Sequence, residues 1–318
     1  SIYVLFKGYG VVAFSYSFVL SEIIVLVIAF FIALKHFIKL KLNISFNFIK
    51  SLVKKSLPFG LSFVFGSIYF FIGSVILSRI KGDVEVAIYS VAYNIALALL
   101  FIPTVYTNAI YPVLSRYYKK DDGTLRLLYE KSFKYLYVIG IPISIGLFLL
   151  SNDIIEFLYG KEYLSAAIAL KIISVYTFIK FLNFLFGTVL LSINRQNKRM
   201  KGQGITAVFN ILINLLMIPK LGYIGAAWAT LITEIFLFLI YYLYVSKSWY
   251  YYNFARIIAK PLIGCIAVYF FIKFAHFNLI VTIFFSSILY LATLITLRTF
   301  DKRDYKILKD IIKNEQVQ

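Results

Sequence analysis

The 318-residue chain is 61% hydrophobic, has a mean hydropathy of +0.86 and carries a formal net charge of +19. In a soluble domain about half the residues are apolar, and no interior of this size hides more, so the composition excludes a water-soluble globule and reads as an all-α polytopic membrane protein. The positive charge does not point to nucleic acid, because Lys and Arg are confined to short connectors between apolar spans. The single cysteine, Cys265, rules out an internal disulfide and a cysteine-rich metal site. His36 and His276 lie at the ends of different spans with no carboxylate cluster, so no metal site is supported, and no GxxxxGK[ST] loop marks an ATPase.

About nine spans are expected in chain order. The first is Val12 to Leu34, with Glu22 near its middle. A purely basic stretch follows, in which Ile49, Leu52 and Val53 share one face and Lys50 and Lys54 are displaced from it, the pattern of an interfacial amphipathic helix. Pro58 to Ser78 is the second span, entered through a proline in its first turn. Val86 to about Leu114 is a third, broken by Pro103 and Pro112. A connector from Arg116 to Lys134, basic overall, leads to the fourth, Tyr135 to Leu150, with Gly140 and Pro142 as a kink. Tyr163 to Ser192 is the fifth and contains Lys171 and Lys180. The run NRQNKRMK then opens a hairpin of two apolar segments, Gly204 to Ile218 and Ile224 to Tyr244, separated by Pro219, Lys220, Leu221 and Gly222. Trp249 to Tyr252 form an aromatic interface belt. Pro261 to Phe274 and Leu279 to Leu297 are the eighth and ninth spans, followed by a polar tail.

Sorting Lys and Arg by alternate connectors places 25 of the 33 on one side and six on the other. The first side is therefore expected to be cytoplasmic, with the N-terminus outside and the C-terminus inside. An odd number of spans, an outside N-terminus and a first residue other than Met lead to the expectation that several spans precede this segment in a longer protein.

Gly8–Ile23 (GYGVVAFSYSFVLSEI) lies over Lys220–Ile235 (KLGYIGAAWATLITEI) at an offset of 212, matching Gly10 to Gly222, Ser21 to Thr233 and Glu22 to Glu234. Each match leads through a basic stretch to a span entered at KSLP (Lys55–Pro58) or AKPL (Ala259–Leu262). A repeat of that length, six helices long, implies two homologous bundles of which the second is complete here. The expected organisation is residues 1–34 as the last helix of a first lobe and 35–57 as a basic linker. A six-helix lobe follows at 58–246, two accessory helices at 247–297 and a cytoplasmic tail at 298–318.

The stretches SLPFGLSFVFGSIYFFIGSVILSRIKG, IPTVYTNAIYPVLSRYYKKDD, GIPISIGLFLLSNDIIEFLYGKEYLSAA and LLSINRQNKRMKGQGITAVFNILINLLMIPKLGYIGAAWATLITEI together resemble the polysaccharide exporters of the multidrug/oligosaccharidyl-lipid/polysaccharide (MOP) superfamily, which include Wzx-type O-antigen flippases. The resemblance covers nearly all of 56–239. It implies two six-helix lobes around a central cavity, often with two extra C-terminal helices. It also implies a non-enzymatic activity, flipping of a polyprenyl-linked glycan across the plasma membrane by alternating access. Its partners would be the lipid-linked glycan, the bilayer and glycan-assembly membrane proteins, and no cofactor is implied beyond coupling by H⁺ or Na⁺.

A carrier of an anionic lipid-linked sugar needs a cation facing a wet cavity and groups that hydrogen-bond sugars. Lys180 is the best cation in the sequence, with Thr177 and Asn183 on its face at i−3 and i+3. A lysine in mid-membrane marks a pathway or a pair, or else snorkels to an interface, as Lys171 nearer its helix end is expected to do. Glu22 and Glu234 fall about ten residues into their helices. Either they couple transport to a proton or sodium ion, or they are lysine-paired packing contacts. Asn94, Asn108, Asn210 and Asn214 serve substrate contact or interhelical bonding equally well. Lys180, Asn183, Thr177, Lys171, Asn210 and Asn94 are the candidate substrate residues, and Glu234 and Glu22 the candidate coupling residues. The runner-up function is a cation-coupled multidrug antiporter of the same superfamily. A membrane-embedded glycan polymerase or ligase would need a large loop or paired carboxylates at one surface.

Overall fold

The computed structural model describes residues 10–36, 45–118, 123–274, 277–301 and 304. In chain order its elements are α1 (Gly10–His36), α2 (Phe46–Lys81), α3 (Asp83–Leu99), α4 (Phe101–Tyr118), α5 (Thr124–Leu149) and the short α6 (Ser151–Tyr159). After a 3-10 turn (Lys161–Tyr163) come α7 (Ala166–Ser192), α8 (Gln196–Ser248), α9 (Ala255–Phe274) and α10 (Leu279–Thr296). Among the described residues eight helical stretches are long and apolar enough to span a membrane, α3 and α4 together making one of them. The chain divides into two compact units, Ser1–Lys55 with α1 and Ser56–Gln318 with everything from the body of α2 onward.

At 53 residues α8 would be a rod of ~80 Å, far more than one ~30 Å hydrocarbon core needs. It folds back on itself at Gly222, whose φ of 57° and ψ of −135° are not helical. Asn210 donates to the Thr233 hydroxyl at 2.8 Å, Lys198 to the Ser248 hydroxyl at 2.6 Å, and the rings of Phe209 and Phe236 stack at 4.3 Å. These pairings are antiparallel, so α8 is the expected hairpin, with limbs 196–221 and 223–248, and the candidate spans among the described residues number nine. Glu85 of α3 fixes the tip: its carboxylate accepts the Tyr223 backbone N–H at 2.7 Å, satisfying a donor left over at the start of the second limb. A Cβ at Gly222 would overlap the same carboxylate, and positive φ favours glycine there in any case.

The centre of the second unit is α7, which packs against α3, α4, α5 and α8. Toward the Gly222 end the alanines Ala92, Ala96, Ala166, Ala169, Ala226 and Ala227 let backbones approach closely among larger residues such as Tyr89, Leu170 and Tyr176. Toward the other end they are aromatic, with Tyr129, Phe133, Phe186, Tyr241 and Phe254 in one cluster. The accessory pair α9 and α10 docks on α5 through Val138, Cys265, Val268, Tyr290 and Leu294, and the Tyr290 hydroxyl donates to the Val138 carbonyl at 2.8 Å.

Three boundaries differ from expectation. Pro58 does not start a span but sits inside α2, which continues N-terminally to Phe46 through the amphipathic segment. A proline inside a helix forfeits the bond to the carbonyl four residues back and crowds that carbonyl, a cost that the helix carries here at Lys54. The third span breaks at Leu100, three residues ahead of Pro103, because Pro103 has no N–H for the Leu99 carbonyl; the Thr104 hydroxyl bonds back to the Leu100 carbonyl at 2.7 Å. The basic connector is largely helix, since α5 starts at Thr124 and carries Arg126, Glu130, Lys131 and Lys134 on its extension. Lys119 to Asp122, His276 and most of the tail lie outside the described residues. The aromatic belt is partly drawn inward: Trp249 lies 5.6 Å from Tyr129, and the Tyr250 hydroxyl donates to Glu130 at 2.7 Å. That bond, together with burial, pushes the Tyr250 phenol above its ordinary pKa.

Candidate functional site

Lys180 and Asn183 stand three residues apart on α7 and so face the same neighbour, the second limb of α8. Lys180 Nζ lies 3.1 Å from Glu234 Oε2. Asn183 Nδ2 donates to Glu234 Oε1 at 2.7 Å and to the Glu234 backbone carbonyl at 3.0 Å. Glu234 is wholly buried, while the Lys180 side chain keeps 11% of its surface exposed. Lys180 also donates to the Tyr69 hydroxyl of α2 and sits 4.7 Å from the centre of that ring and 5.9 Å from the centre of the Tyr176 ring. Aromatic faces and a carboxylate thus surround the ammonium, as a cation held away from bulk water requires. One charge of each sign makes the pair neutral as a whole.

The exposed part of Lys180 opens on a cavity of about 750 Å³, within the range of small-molecule sites. Its walls come from α2, α4, α7 and both limbs of α8; polar groups reach it from Asn108, Lys180, Asn183, Arg199 and Gln203, and rings from Phe63, Tyr111 and Phe184. The lining runs over 59–71 of α2, 107–111 of α4, 180–191 of α7, 199–203 and 237–241 of α8. Each of these is the part of its helix toward the end where the basic connectors gather. The cavity therefore occupies one half of the lobe, and the other half is the packed cluster near Gly222. Asn183 Oδ1, Gln203 Oε1 and Arg199 Nε are buried and have no hydrogen-bond partner among the described residues. Two acceptors and a donor are thereby left to a hydroxyl-bearing guest.

The residues singled out from sequence are distributed unevenly. Lys180, Asn183 and Glu234, assigned there to two different tasks, form a single cluster. Asn210 is 2% exposed and bonded to Thr233, next to Glu234 in the chain. Thr177 is fully buried and turned back on its own helix, its hydroxyl on the Ile173 carbonyl at 2.8 Å. Lys171 is half-buried and not part of the cavity wall, and Asn94 is exposed on α3. Glu22 lies on α1, outside the unit that holds the others. Sequence reasoning missed Tyr69, Arg199 and Gln203. A tyrosine in an apolar helix reads as core, and a basic run preceding a span reads as an interface anchor. Only the i, i+4 spacing of Arg199 and Gln203 ahead of Thr206 and Asn210 marks one polar face.

A family model described as polysaccharide biosynthesis protein matches residues 1–168. An uncharacterized membrane protein of Methanocaldococcus jannaschii is 28% identical over 255 residues, covering 77% of this chain and 48% of that protein. A probable flippase, AglR, of Haloferax volcanii is 26% identical over 52% of this chain and 35% of its own length. The chain thus spans half or less of the length of these relatives. Among solved structures, the lipid II flippase MurJ in an inward closed conformation superposes with a TM-score of 0.65 at 20% identity, covering 85% of this chain and 59% of that one. The likeness is one of fold, and it covers part of the two-lobe arrangement that the resemblance implied.

Proposed function

The chain belongs to the polysaccharide biosynthesis protein family, and from that premise we propose that it serves in a membrane carrier that flips a lipid-linked oligosaccharide by alternating access. The observation that carries this reading is a cavity in the basic half of the lobe, floored by an ammonium whose counter-charge among the described residues is an internal carboxylate. Two similar proteins bear flippase names, which agrees with a transport task. With the basic connectors in the cytoplasm, the cavity loads from the side on which lipid-linked sugars are assembled.

The head of such a substrate joins a phosphate or pyrophosphate to a sugar. Its phosphate competes with Glu234 for Lys180, which offers three donors. Glu234 stays hydrogen-bonded to Asn183 and takes up a proton or sodium ion, so that no unpaired anion is left in the membrane. The amides of Asn108 and Gln203 and the guanidinium of Arg199 meet sugar hydroxyls, and the rings of Tyr111 and Phe184 offer faces to sugar rings. Before loading, Glu234 keeps Lys180 neutralised, which spares the empty carrier a naked buried charge.

In cells whose surface glycan depends on this protein, Lys180→Ala lowers export by about tenfold or more, the worth of one charge-assisted contact, while membrane insertion is unchanged. Wild-type export by that variant removes Lys180 from the site. The antiporter reading draws on a separate observation, the wholly buried Glu234 carboxylate beside the cavity. Loss of resistance to cationic drugs in Glu234→Gln, with glycan export normal, selects it instead.

A further inference from the structure

A second cavity system lies between α5, α6, α9 and α10, toward the Gly222 end of the bundle, and owes nothing to the Lys180 site. It has two parts that share Leu150 and Ile272. The deeper part, about 400 Å³, follows α5 from Val138 past Pro142 and Gly146 to Leu150, with Val268 and Ile283 opposite. From 138 to 150 the helix rises ~18 Å, about three fifths of a ~30 Å hydrocarbon core. Gly146 faces open space, for a Cβ added there meets nothing within 4 Å.

The mouth, about 530 Å³, is polar, with Asp153, Lys273, Tyr269, Asn278 and Thr282 around it. Asp153 and Lys273 bring opposite charges to one opening, yet neither has an ion-pair partner among the described residues. Asn278, Thr282 and Ser286 follow one another at successive turns on one face of α10. Ser286 lies one turn (~6 Å) below Thr282, lines the groove, is 8% exposed, and its hydroxyl has no partner among the described residues.

We propose that this cavity seats one zwitterionic glycerophospholipid of the bilayer. Its phosphate meets the Lys273 ammonium and its headgroup ammonium meets Asp153. An ester or ether oxygen at the glycerol level accepts from the Ser286 hydroxyl, and one chain lies along the Val138–Gly146 groove. The order of layers with depth, ionic, then a hydroxyl, then apolar, is the order within one lipid. Charge complementarity selects the headgroup: a lipid with a net negative head, polyprenyl phosphate included, satisfies Lys273 but sets its anion against Asp153. The lipid is a resident that wedges the accessory pair against the lobe and is not cargo.

The protein purified in mild detergent is incubated with phosphatidylethanolamine, phosphatidylglycerol or undecaprenyl phosphate and read by native mass spectrometry. One phosphatidylethanolamine is retained per chain, and the two anionic lipids up to about fivefold more weakly, the worth of the one exposed charge contact they lose at Asp153. Asp153→Lys reverses the preference toward phosphatidylglycerol. Gly146→Phe fills the groove without touching either charge and abolishes retention of all three. Asp153 is exposed and Gly146 faces open space, so both variants keep the fold. Equal retention of phosphatidylethanolamine and phosphatidylglycerol by the wild type overturns the proposal. So does preferred retention of undecaprenyl phosphate, or unaltered retention by Gly146→Phe.

Discussion

Lys180 and Glu234 meet in the middle of the bundle, whereas Lys131 and Lys134 of α5 meet Asp301 and Asp304 at its basic end. In the terminal cluster every carboxylate atom of Asp304 is engaged. Oδ1 receives Lys131 at 2.7 Å and the Tyr135 hydroxyl at 2.8 Å, while Oδ2 receives Lys134 at 2.5 Å and the Asp301 backbone N–H at 2.8 Å. Burial by itself would raise the pKa values of Asp304 and Asp301, but hydrogen bonds from the lysines outweigh it and hold both below the ordinary carboxylate range. The central cluster has one charge of each sign, a cavity at its edge, and an amide oxygen of Asn183 left over. A knot with every valence used resists exchange, so it serves to fasten. A pair with a spare acceptor and an open side can trade partners. Burial and ion pairing look alike in the two places; the count of satisfied atoms separates them.

Removing one member of the central pair has the largest expected effect. Glu234→Ala strands Lys180 in a nonpolar wall and lowers stability by about 3–5 kcal/mol, read as thermal unfolding in detergent. The double variant Lys180→Met with Glu234→Leu regains most of that loss, since two apolar groups of similar size leave no orphan charge. A single variant as stable as the wild type would mean that neither charge depends on the other. Asp304→Asn comes next, at about 1.5–3 kcal/mol for its charged hydrogen bonds, and its effect is local: the segment 298–301 loses its hold on α5 and becomes open to protease. Its pH dependence has a fixed sign. A carboxylate whose folded pKa is lowered contributes stability that is complete above its unfolded value, ~3.9, and that is lost as pH falls through the lowered value. Protection of that segment therefore persists at pH 4 and fails only in stronger acid. Lys171→Met is the smallest, within about 0.5 kcal/mol, because that lysine stands outside both clusters.

The hairpin was legible in the sequence because Pro219 and Gly222 interrupt two apolar runs, and backbone chemistry at such residues is local. The all-helical class and the apolar spans were legible for the same reason, through hydropathy and its interruptions. The extension of α5 back to Thr124 was not, since a helix outside the membrane carries Lys and Glu as freely as a loop does. Lys180, Asn183 and Glu234 could each be picked out as polar residues in apolar spans. Their meeting could not, because Lys180 and Glu234 are 54 residues apart and on different helices. Tyr69 was invisible for a further reason: 26 tyrosines in the chain give no hint of which one faces a lysine.

Glu85 turns the tip of α8 into a fixed vertex. Inserting a single residue between Ile218 and Tyr223 would carry the donating Tyr223 amide away from the Glu85 carboxylate and leave that donor without its partner. Exposed loop tips elsewhere absorb added residues readily. Here the tolerance for length is nil, and variation in size has to be accommodated in the other connectors.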